Sequence, residues 1–400
     1  MTTVRLEVGA VAHGGHCVAR HEGRVVFVRH TLPGEVVDAA LTEQGEDAPY
    51  WRADAVTVIE ASPDRVDSVW PAAGPGGVGG GELAHVALHA QREWKLTVLR
   101  DSFERFAKRE FPGEIHAAPG DNERGGLRWR TRVSAVTDGQ GRAAMHVQRS
   151  SLTQVLTQMP LAVERAERAL VDARYSANAQ VAVVAPEGSD AVHVLVDGVP
   201  WRGGKADHRD NAPTNVKETV VVGDRTYEYR VAVSGFWQVH RAAPAVLVGE
   251  VMERVGDAAT VVDLYSGAGL FALPLAVAGK DVTTVEAAAQ AVKAARRNLH
   301  AFPDATVIEG DVRRTLGQGI GAADVVILDS PRSGAGNATI DALVTVGASR
   351  LVYVACDPVA LGRDAKTLAA SGYLVEEIQS FDLFPMTHHI ETIASFARAK

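Results

Sequence analysis

The chain has 400 residues, more than one ordinary core holds, so we expect two or three domains. It is 46% hydrophobic and 22% charged, no apolar run approaches about 18 residues, and no signal peptide is recognisable, so we expect no membrane association. The net charge of −8 argues mildly against a general nucleic-acid binder. Two distant cysteines cannot build a zinc or iron–sulfur site alone, so no metal site is predicted, and they indicate a reducing, cytoplasmic compartment.

Residues 1–60 contain four or five short runs rich in strand-forming residues. Gly-Gly, Glu-Gly and Pro-Gly pairs separate these runs, which is typical of turns between strands. So many strands in so short a segment predict a small closed barrel of the OB type.

Residues 61–235 read as a linker followed by a central α+β domain. The segment 62–85 is dense in glycine and proline, which predicts a loop, and 83–111 has helical periodicity. We expect hairpins over 127–147 and 180–198, a mostly helical segment over 151–176, and a strand near the end of 225–240.

The segment "RGGLRWRTR" lies in the most basic part of the chain, since residues 91–150 hold 12 basic and 8 acidic side chains. Arginines around Trp129 have the composition of a site that holds phosphates and stacks a base. An exposed strand with a solvated charged face is an equally good interpretation, and both remain open.

From residue 236 to 400, apolar runs alternate with amphipathic segments. This pattern predicts a doubly wound α/β domain with a mostly parallel sheet. The last two strands have no helix between them, which indicates an antiparallel hairpin at the sheet edge, as in class I methyltransferases.

The cofactor half of a site is indicated at three successive strand ends. "VVDLYSGAGLF" is a buried strand, a glycine-rich turn containing Gly267, and a helix. It lacks the third glycine of a dinucleotide fingerprint and a phosphate-binding lysine, which favours S-adenosylmethionine. Glu286 ends the next strand, where its carboxylate could accept hydrogen bonds from the ribose hydroxyls of the cofactor. Asp311 follows the third strand, where it could accept from the adenine amine. Each acid alone is also explained as a helix N-cap.

The reactive half comes from the later strands. Asp329 ends the fourth strand in "VVILDSPR" and should point into the same crevice, and Cys356 ends the fifth in "VYVACDP". A buried structural thiol is the default interpretation of a lone cysteine, whereas a nucleophile needs partial exposure and nearby activation. Glu391 begins the final strand and is a candidate general base, or else a solvated strand-start carboxylate.

These motifs together resemble the RNA uracil-5 methyltransferases, which convert uridine to 5-methyluridine in tRNA or rRNA. "AHGGHCVARHEGRVVFVRHTLPGEVV" resembles the TRAM domain of that family. "FWQVH", "DSPR", "ACDP" and "FPMTHHIE" resemble its Phe-x-Gln, Asp-Pro-Pro-Arg, Ser-Cys-Asp/Asn-Pro and Phe-Pro-x-Thr-x-His-Val-Glu motifs, in the same order. The resemblance covers essentially the whole chain.

The resemblance implies a role for each matching residue. Cys356 would be the nucleophile that adds to carbon 6 of uracil, and Glu391 the base. The residues that contact S-adenosylmethionine or shape its site would be Gln238, Tyr265, Gly267, Glu286, Asp311 and Asp329. The implied partner is RNA, with the target base flipped from its stack, and we expect a monomer.

The sequence departs from the family pattern at several positions. Trp70, Val78 and Gly81 stand where many members have cluster-binding cysteines, and the segment 152–162 lacks a further one, so we expect no iron–sulfur cluster. Ser330 replaces the first proline of Asp-Pro-Pro-Arg, which should add a donor and loosen that loop. Alternatives to the uridine-5 assignment are methylation of another base or a small molecule, and an RNA-binding protein with a decayed active site.

Overall fold

The computed structural model describes residues 2–45 and 47–399. The first five strands form a closed barrel in the order β1-β2-β3-β5-β4. Their bounds are β1 Thr3–Ala12, β2 His16–His21, β3 Arg24–Arg29, β4 Val36–Glu43 and β5 Trp51–Glu60. Alternate side chains such as Leu6 and Val8 point inward, and Cys17 is fully buried among them. The barrel predicted from the turn spacing is confirmed.

A loop and a long helix follow the barrel. The glycine-rich segment contains one short 3₁₀ turn, Pro71–Ala73, and is otherwise irregular, as predicted. Helix α1 spans Leu88–Ser102 and continues as a π-helical turn over Phe103–Ala107, and strand β6 spans Ile115–Ala117.

A seven-stranded sheet forms the central part of the chain, in the order β13-β12-β11-β10-β7-β8-β9. Its elements are β7 Arg132–Thr137, β8 Ala143–His146, β9 Thr153–Val155, α2 Glu164–Val171, β10 Gln180–Val184, β11 His193–Val196, β12 Val199–Arg202 and β13 Lys205–Ala206. The two predicted hairpins are β7–β8 and β10–β11.

The mostly helical segment expected over 151–176 is wrong for its first half. Thr153–Val155 pairs with β8 at the sheet edge, and Pro160, which lacks an N–H, interrupts the segment before the helix begins at Glu164. Tertiary pairing therefore overrides the helical pattern here.

A separate hairpin, β14 Asn215–Val222 and β15 Arg225–Ala232, follows the central sheet. Its inner residues, including Tyr229 and Val231, belong to the same apolar core as the helices of the C-terminal region. The Tyr229 hydroxyl donates to the carbonyl of Leu270 at 2.8 Å, which ties the hairpin to that region. Residues 236–240, expected as a strand end, form only an isolated bridge through His240.

The C-terminal region is a doubly wound sheet in the order β18-β17-β16-β19-β20-β22-β21-β6. Its elements are α3 Ala243–Val255, β16 Thr260–Leu264, α4 Ala272–Val277, β17 Asp281–Glu286, α5 Ala289–Asn298, β18 Thr306–Glu309, α6 Val312–Gln318, β19 Val325–Asp329, α7 Asn337–Val344, β20 Arg350–Ala355, α8 Pro358–Ala370, β21 Tyr373–Asp382 and β22 Glu391–Arg398. Helices cover both faces, so Val261 and Val262 lie in two different cores.

The last two strands form an antiparallel pair, but not at the edge of the sheet. β22 lies between β20 and β21, and β6 adds a further strand beside β21 through Ser380–Asp382. The edge position expected for the hairpin is therefore wrong, because three residues from before the central sheet occupy it. Within residues 2–45 and 47–399, no helix has both the length and the apolar character needed to cross a membrane.

Candidate active site

The carboxyl ends of β16, β17, β19 and β20 meet at one cavity of about 940 Å³. The strand register pairs Leu264 with both Val285 and Leu328, so the residues that follow these three lie side by side. Seven of the eight residues predicted from sequence line the cavity: Gln238, Tyr265, Gly267, Glu286, Asp329, Cys356 and Glu391.

The glycine-rich turn is held open by Glu286. One carboxylate oxygen of Glu286 accepts from the Gly267 amide at 3.0 Å, and the other accepts from the Ala288 amide at 2.6 Å. Tyr265 and Gly267 both have positive φ, +61° and +55°, and a Cβ built on Gly267 would meet no atom within 4 Å. The open space above Gly267 is therefore a cradle in which a ligand can approach the backbone closely.

Asp263 lies on β16, just before the glycine-rich turn, and the strand-end pattern does not identify it. The side chain is fully buried beneath the turn, and among the described residues neither of its oxygens has a hydrogen-bond partner of ordinary geometry. Burial, and then the charges of Asp329 and Glu286, raise its pKa well above the usual range. The signal that could have found it is an acid inside the otherwise apolar run "TVVDL". Asp263 does not line the cavity, so its unpaired oxygens act on the site only through the strand that leads into the turn.

Asp311 is not brought into the cavity. It is exposed, caps the N-terminus of α6 by accepting from the Arg314 amide at 2.9 Å, and is absent from the cavity lining within the described part of the chain. Its contact with an adenine amine stays a prediction.

Cys356 and Glu391 lie opposite each other on adjacent antiparallel strands. The register pairs Ala355 with Thr392, so the next position brings Cys356 beside Glu391. Glu391 is 4% exposed, and Cys356 is half-buried and lines the cavity. The thiol therefore has the partial exposure that a nucleophile needs.

The electrostatics of this pair favour its neutral form. Burial, then Glu391 and Asp329, raise the pKa of Cys356 to about 12, whereas Arg332 acts in the opposite direction. Burial and then Asp329 raise the pKa of Glu391 well above its usual range, and burial raises the pKa of Asp329 to about 7. The surroundings thus favour a neutral thiol and disfavour charge on the carboxyl group beside it, so the thiol must be activated during the reaction.

Ser330 lies between the cavity residues Asp329 and Arg332, and it is buried. Its hydroxyl lies 2.7 Å from the Tyr353 hydroxyl, and Tyr353 donates to Asp364 at 2.6 Å. The expectation that serine loosens this loop is wrong, because the hydroxyl ties the loop to the sheet.

Trp129 is neither a base-stacking platform nor part of a solvated face. It is fully buried, stacks on His240 with ring centroids 5.5 Å apart, and meets Phe384 edge-on. Among its flanking arginines, Arg128 pairs with Glu167, whereas Arg130 faces the cavity. Both interpretations of the segment are wrong for Trp129, which belongs to the central core.

The positions where many family members have iron–sulfur cysteines form part of an apolar core in this protein. Trp70 and Val78 are each 1% exposed and pack in one cluster with Met159. A Cβ built on Gly81 would lie 2.8 Å from the Cβ of Ala73. These side chains offer no thiolate and leave little room, so they do not fit an iron–sulfur cluster. The absence of a cluster from the purified protein stays a prediction.

Two family models match the chain. One, described as tRNA (Uracil-5-)-methyltransferase, matches residues 208–307 and 320–398, and the other, the TRAM domain, matches residues 1–46. The methyltransferase model begins at residue 208 and so includes the β14–β15 hairpin. This agrees with the structure, in which that hairpin packs against the C-terminal region.

Relatives match over nearly the full length. An uncharacterized RNA methyltransferase of Bifidobacterium longum is 38% identical over 100% of this chain and 97% of its own. One of Streptomyces coelicolor is 40% identical over 97% of this chain and 91% of its own.

The crystal structure of Pyrococcus abyssi tRNA (uracil-54, C5)-methyltransferase in complex with S-adenosyl-L-homocysteine superimposes with a TM-score of 0.73 at 20% identity, covering 98% of this chain and 99% of that one. At that identity the likeness shows the fold, which is a class I methyltransferase domain preceded by a TRAM barrel. Together with the family models and relatives, it leads to one conclusion: the chain belongs to the tRNA (uracil-5-)-methyltransferase family and is an S-adenosylmethionine-dependent RNA methyltransferase.

Proposed function

We propose that the protein transfers a methyl group to carbon 5 of a uridine in tRNA or rRNA, with Cys356 as nucleophile and Glu391 as base. The observation that carries this proposal is the position of Cys356 opposite Glu391, in the same cavity as the Gly267 turn and Glu286. A methyltransferase that only had to present an already nucleophilic nitrogen or oxygen would not need a thiol there.

The cofactor would lie along the glycine-rich turn. Gln238, Tyr265, Glu286 and Asp329 line that part of the cavity and would hold its polar groups. S-adenosylmethionine supplies the electrophilic methyl group. The carboxyl group of Asp329, which lines the cavity beside the turn, favours a ligand with positive charge or hydrogen-bond donors.

The chemistry of uracil explains the need for the thiol. Carbon 5 is a poor nucleophile until a bond forms between the Cys356 sulfur and carbon 6, which places negative charge on carbon 5 and oxygen 4. Carbon 5 then forms its bond to the methyl group and still carries its hydrogen. Glu391, as a carboxylate, accepts that proton, and the carbon–sulfur bond breaks to release 5-methyluridine and the thiolate.

The Cys356 thiol loses its proton to solvent water as the sulfur adds to carbon 6. The raised pKa of Glu391 makes its carboxylate a stronger base for the carbon 5 proton, which Glu391 then passes to solvent water as the thiolate is released. Arg332 and Arg130 line the same cavity, and their positive charges favour the anionic adduct and RNA phosphates.

The proposal is tested with RNA labelled with tritium at carbon 5 of uridine, taken from a strain that lacks the enzyme. Wild-type protein should release tritium and form 5-methyluridine, identified by nucleoside mass spectrometry, in rRNA or tRNA. Cys356→Ala should abolish both, and Cys17→Ala, which removes the other thiol, should not remove the activity. Full turnover by Cys356→Ala would refute the covalent mechanism, and methylated cytidine as the product would refute the uridine assignment.

A further inference from the structure

The first barrel turn, residues 13–15 between β1 and β2, contacts two segments that flank the active-site cavity, at Asp357 and at His388. The His13 Nε2 atom lies 3.3 Å from the Oδ2 atom of Asp357, the residue that directly follows Cys356. The other carboxylate oxygen of Asp357 accepts from the Ala360 amide at 2.8 Å and so caps α8. One carboxylate therefore fixes the start of α8 and also binds the barrel.

The same turn also touches the loop that leads to Glu391. A Cβ built on Gly15 would lie 3.0 Å from the Cβ of Glu82 and 3.5 Å from the Cβ of His388. The Nδ1 atom of His388 lies 3.6 Å from the Oε2 atom of Glu82, and the rings of His13 and His388 meet edge-on with centroids 6.0 Å apart. Because Gly15 has φ +75° and packs this closely, a larger residue would push the turn away.

The carboxylates in these contacts are partly shielded from water, so solvent screens their interactions less than those of fully exposed groups. The Asp357 side chain is 23% exposed and that of Glu82 is 13% exposed. Burial would raise the pKa of Asp357, but the hydrogen bond from His13 and the amides of α8 outweigh it and lower the pKa. Burial likewise acts to raise the pKa of Glu82, but His388 and two backbone amides lower it to about 2. Both carboxylates are therefore ionised and able to anchor the turn.

We propose that the first barrel turn is a positioning element of the active site. His13 holds Asp357, and through it the strand end that carries Cys356, while Gly15 and His13 hold the His388 loop three residues before Glu391. The TRAM barrel then contributes to methyl transfer itself, in addition to any contact with RNA. This inference rests on the proposed roles of Cys356 and Glu391.

The test compares His13→Ala, His13→Gln and Asp38→Asn in the full chain, with RNA from a strain that lacks the enzyme. Asp38 is the matched control, because it forms an exposed barrel ion pair with Arg5 at 2.9 Å, on a strand that does not carry the turn. The His13 side chain is 42% exposed, so its removal leaves no core cavity. The readouts are the single-turnover rate at saturating RNA, the RNA Kd and the thermal unfolding midpoint.

We expect His13→Ala to lower the single-turnover rate about ten- to a hundredfold with an RNA Kd within about threefold of wild type, since small misplacements of reacting groups cost rates of this size. His13→Gln, whose amide can donate to Asp357, should recover most of the rate, and Asp38→Asn should match wild type. A wild-type rate in His13→Ala, a loss confined to the RNA Kd, or a fall in stability without recovery by His13→Gln would each overturn the proposal.

Cys356→Ala is measured in parallel to separate the two proposals. If Cys356→Ala retains turnover, the covalent function fails whatever His13 does. If Cys356→Ala is inactive and His13→Ala has the wild-type rate, only the positioning role fails.

Discussion

The hydroxyl groups of Ser330 and Tyr353 share a buried hydrogen bond of 2.7 Å that joins the Asp329–Arg332 loop to the neighbouring strand β20. Tyr353 in turn donates to Asp364 at 2.6 Å, and Asp364 also accepts from the Ala335 amide at 2.7 Å. The serine that replaces a proline in the family motif is thus one end of a polar network in the sheet.

Removing the tyrosine hydroxyl should therefore weaken both the fold and the cofactor site. Tyr353→Phe leaves buried Ser330 and Asp364 short of a partner, and we expect a loss of about 1–3 kcal/mol in the free energy of unfolding. S-adenosylmethionine should also bind several-fold more weakly. Loss of the Tyr353 hydroxyl releases Ser330, and the adjacent residue Asp329 lines the cofactor cavity. Urea denaturation and calorimetric titration measure the two effects. Tyr50→Phe, at an exposed barrel position, is the control and should change stability by less than about 0.5 kcal/mol. Equal behaviour of the two variants would contradict a structural role for the network.

Glu391 should make the protein less stable as pH rises. Its folded pKa is raised above the unfolded value of about 4.3, so above that value the unfolded state loses a proton that the folded state keeps. The free energy of unfolding therefore falls with increasing pH, by up to about 1.4 kcal/mol per unit until the folded pKa is reached.

Glu391→Gln removes this dependence. The stability of the variant relative to wild type should therefore increase from pH 5 to pH 7, while turnover is lost. Urea denaturation at both pH values measures the gain. Glu376→Gln, whose side chain is 47% exposed and pairs with Arg350, should show no such gain. A stability difference between wild type and Glu391→Gln that is the same at both pH values would contradict a raised pKa of Glu391 in the folded protein.

Cys356 should react with iodoacetamide slowly at neutral pH and faster as pH rises. Because the pKa of its thiol is about 12, the reactive thiolate should increase about tenfold per pH unit from pH 7 to pH 9. Arg332→Gln removes a charge that lowers this pKa and should slow labelling further. Peptide mass spectrometry measures both, with fully buried Cys17 as the internal control that stays unlabelled in folded protein. A rate that levels off below pH 8 would indicate an already activated thiolate.

The protein should contain no iron–sulfur cluster, because Trp70, Val78 and Met159 fill the place with carbon side chains. Anaerobically purified protein should show iron far below one cluster per chain and no visible absorption band. Trp70→Ala should cost about 3–5 kcal/mol in unfolding free energy, as expected for a large buried side chain rather than a vacant site. A stoichiometric cluster would contradict the first expectation, and a surface-like cost below about 0.5 kcal/mol the second.

The residues that sequence could identify are those at strand ends. Glu286, Asp329 and Cys356 each end an apolar run, and parallel strands bring such ends to one edge of the sheet, so the order of runs along the chain predicts that these residues lie close together. Asp311 shows the limit of this argument, since its side chain is used by the backbone of α6.

Relationships between distant segments left no linear signal. The contact of His13 with Asp357 joins residues more than three hundred positions apart, and strand β6 pairs with β21 through three residues with no strong strand pattern. The arginines on both sides of Trp129 predict exposure, whereas the fold buries the ring, pairs Arg128 with Glu167 and turns Arg130 toward the cavity. Such features depend on which elements pack together, and pattern alone does not encode that.

The position of β22 between β20 and β21 has a consequence for the proposed catalytic pair. β20 and β21 both precede β22 in the chain, yet they do not hydrogen-bond to each other, because β22 lies between them. The proposed catalytic pair therefore exists only where residues 391–398 have inserted between two strands that come before them in the sequence.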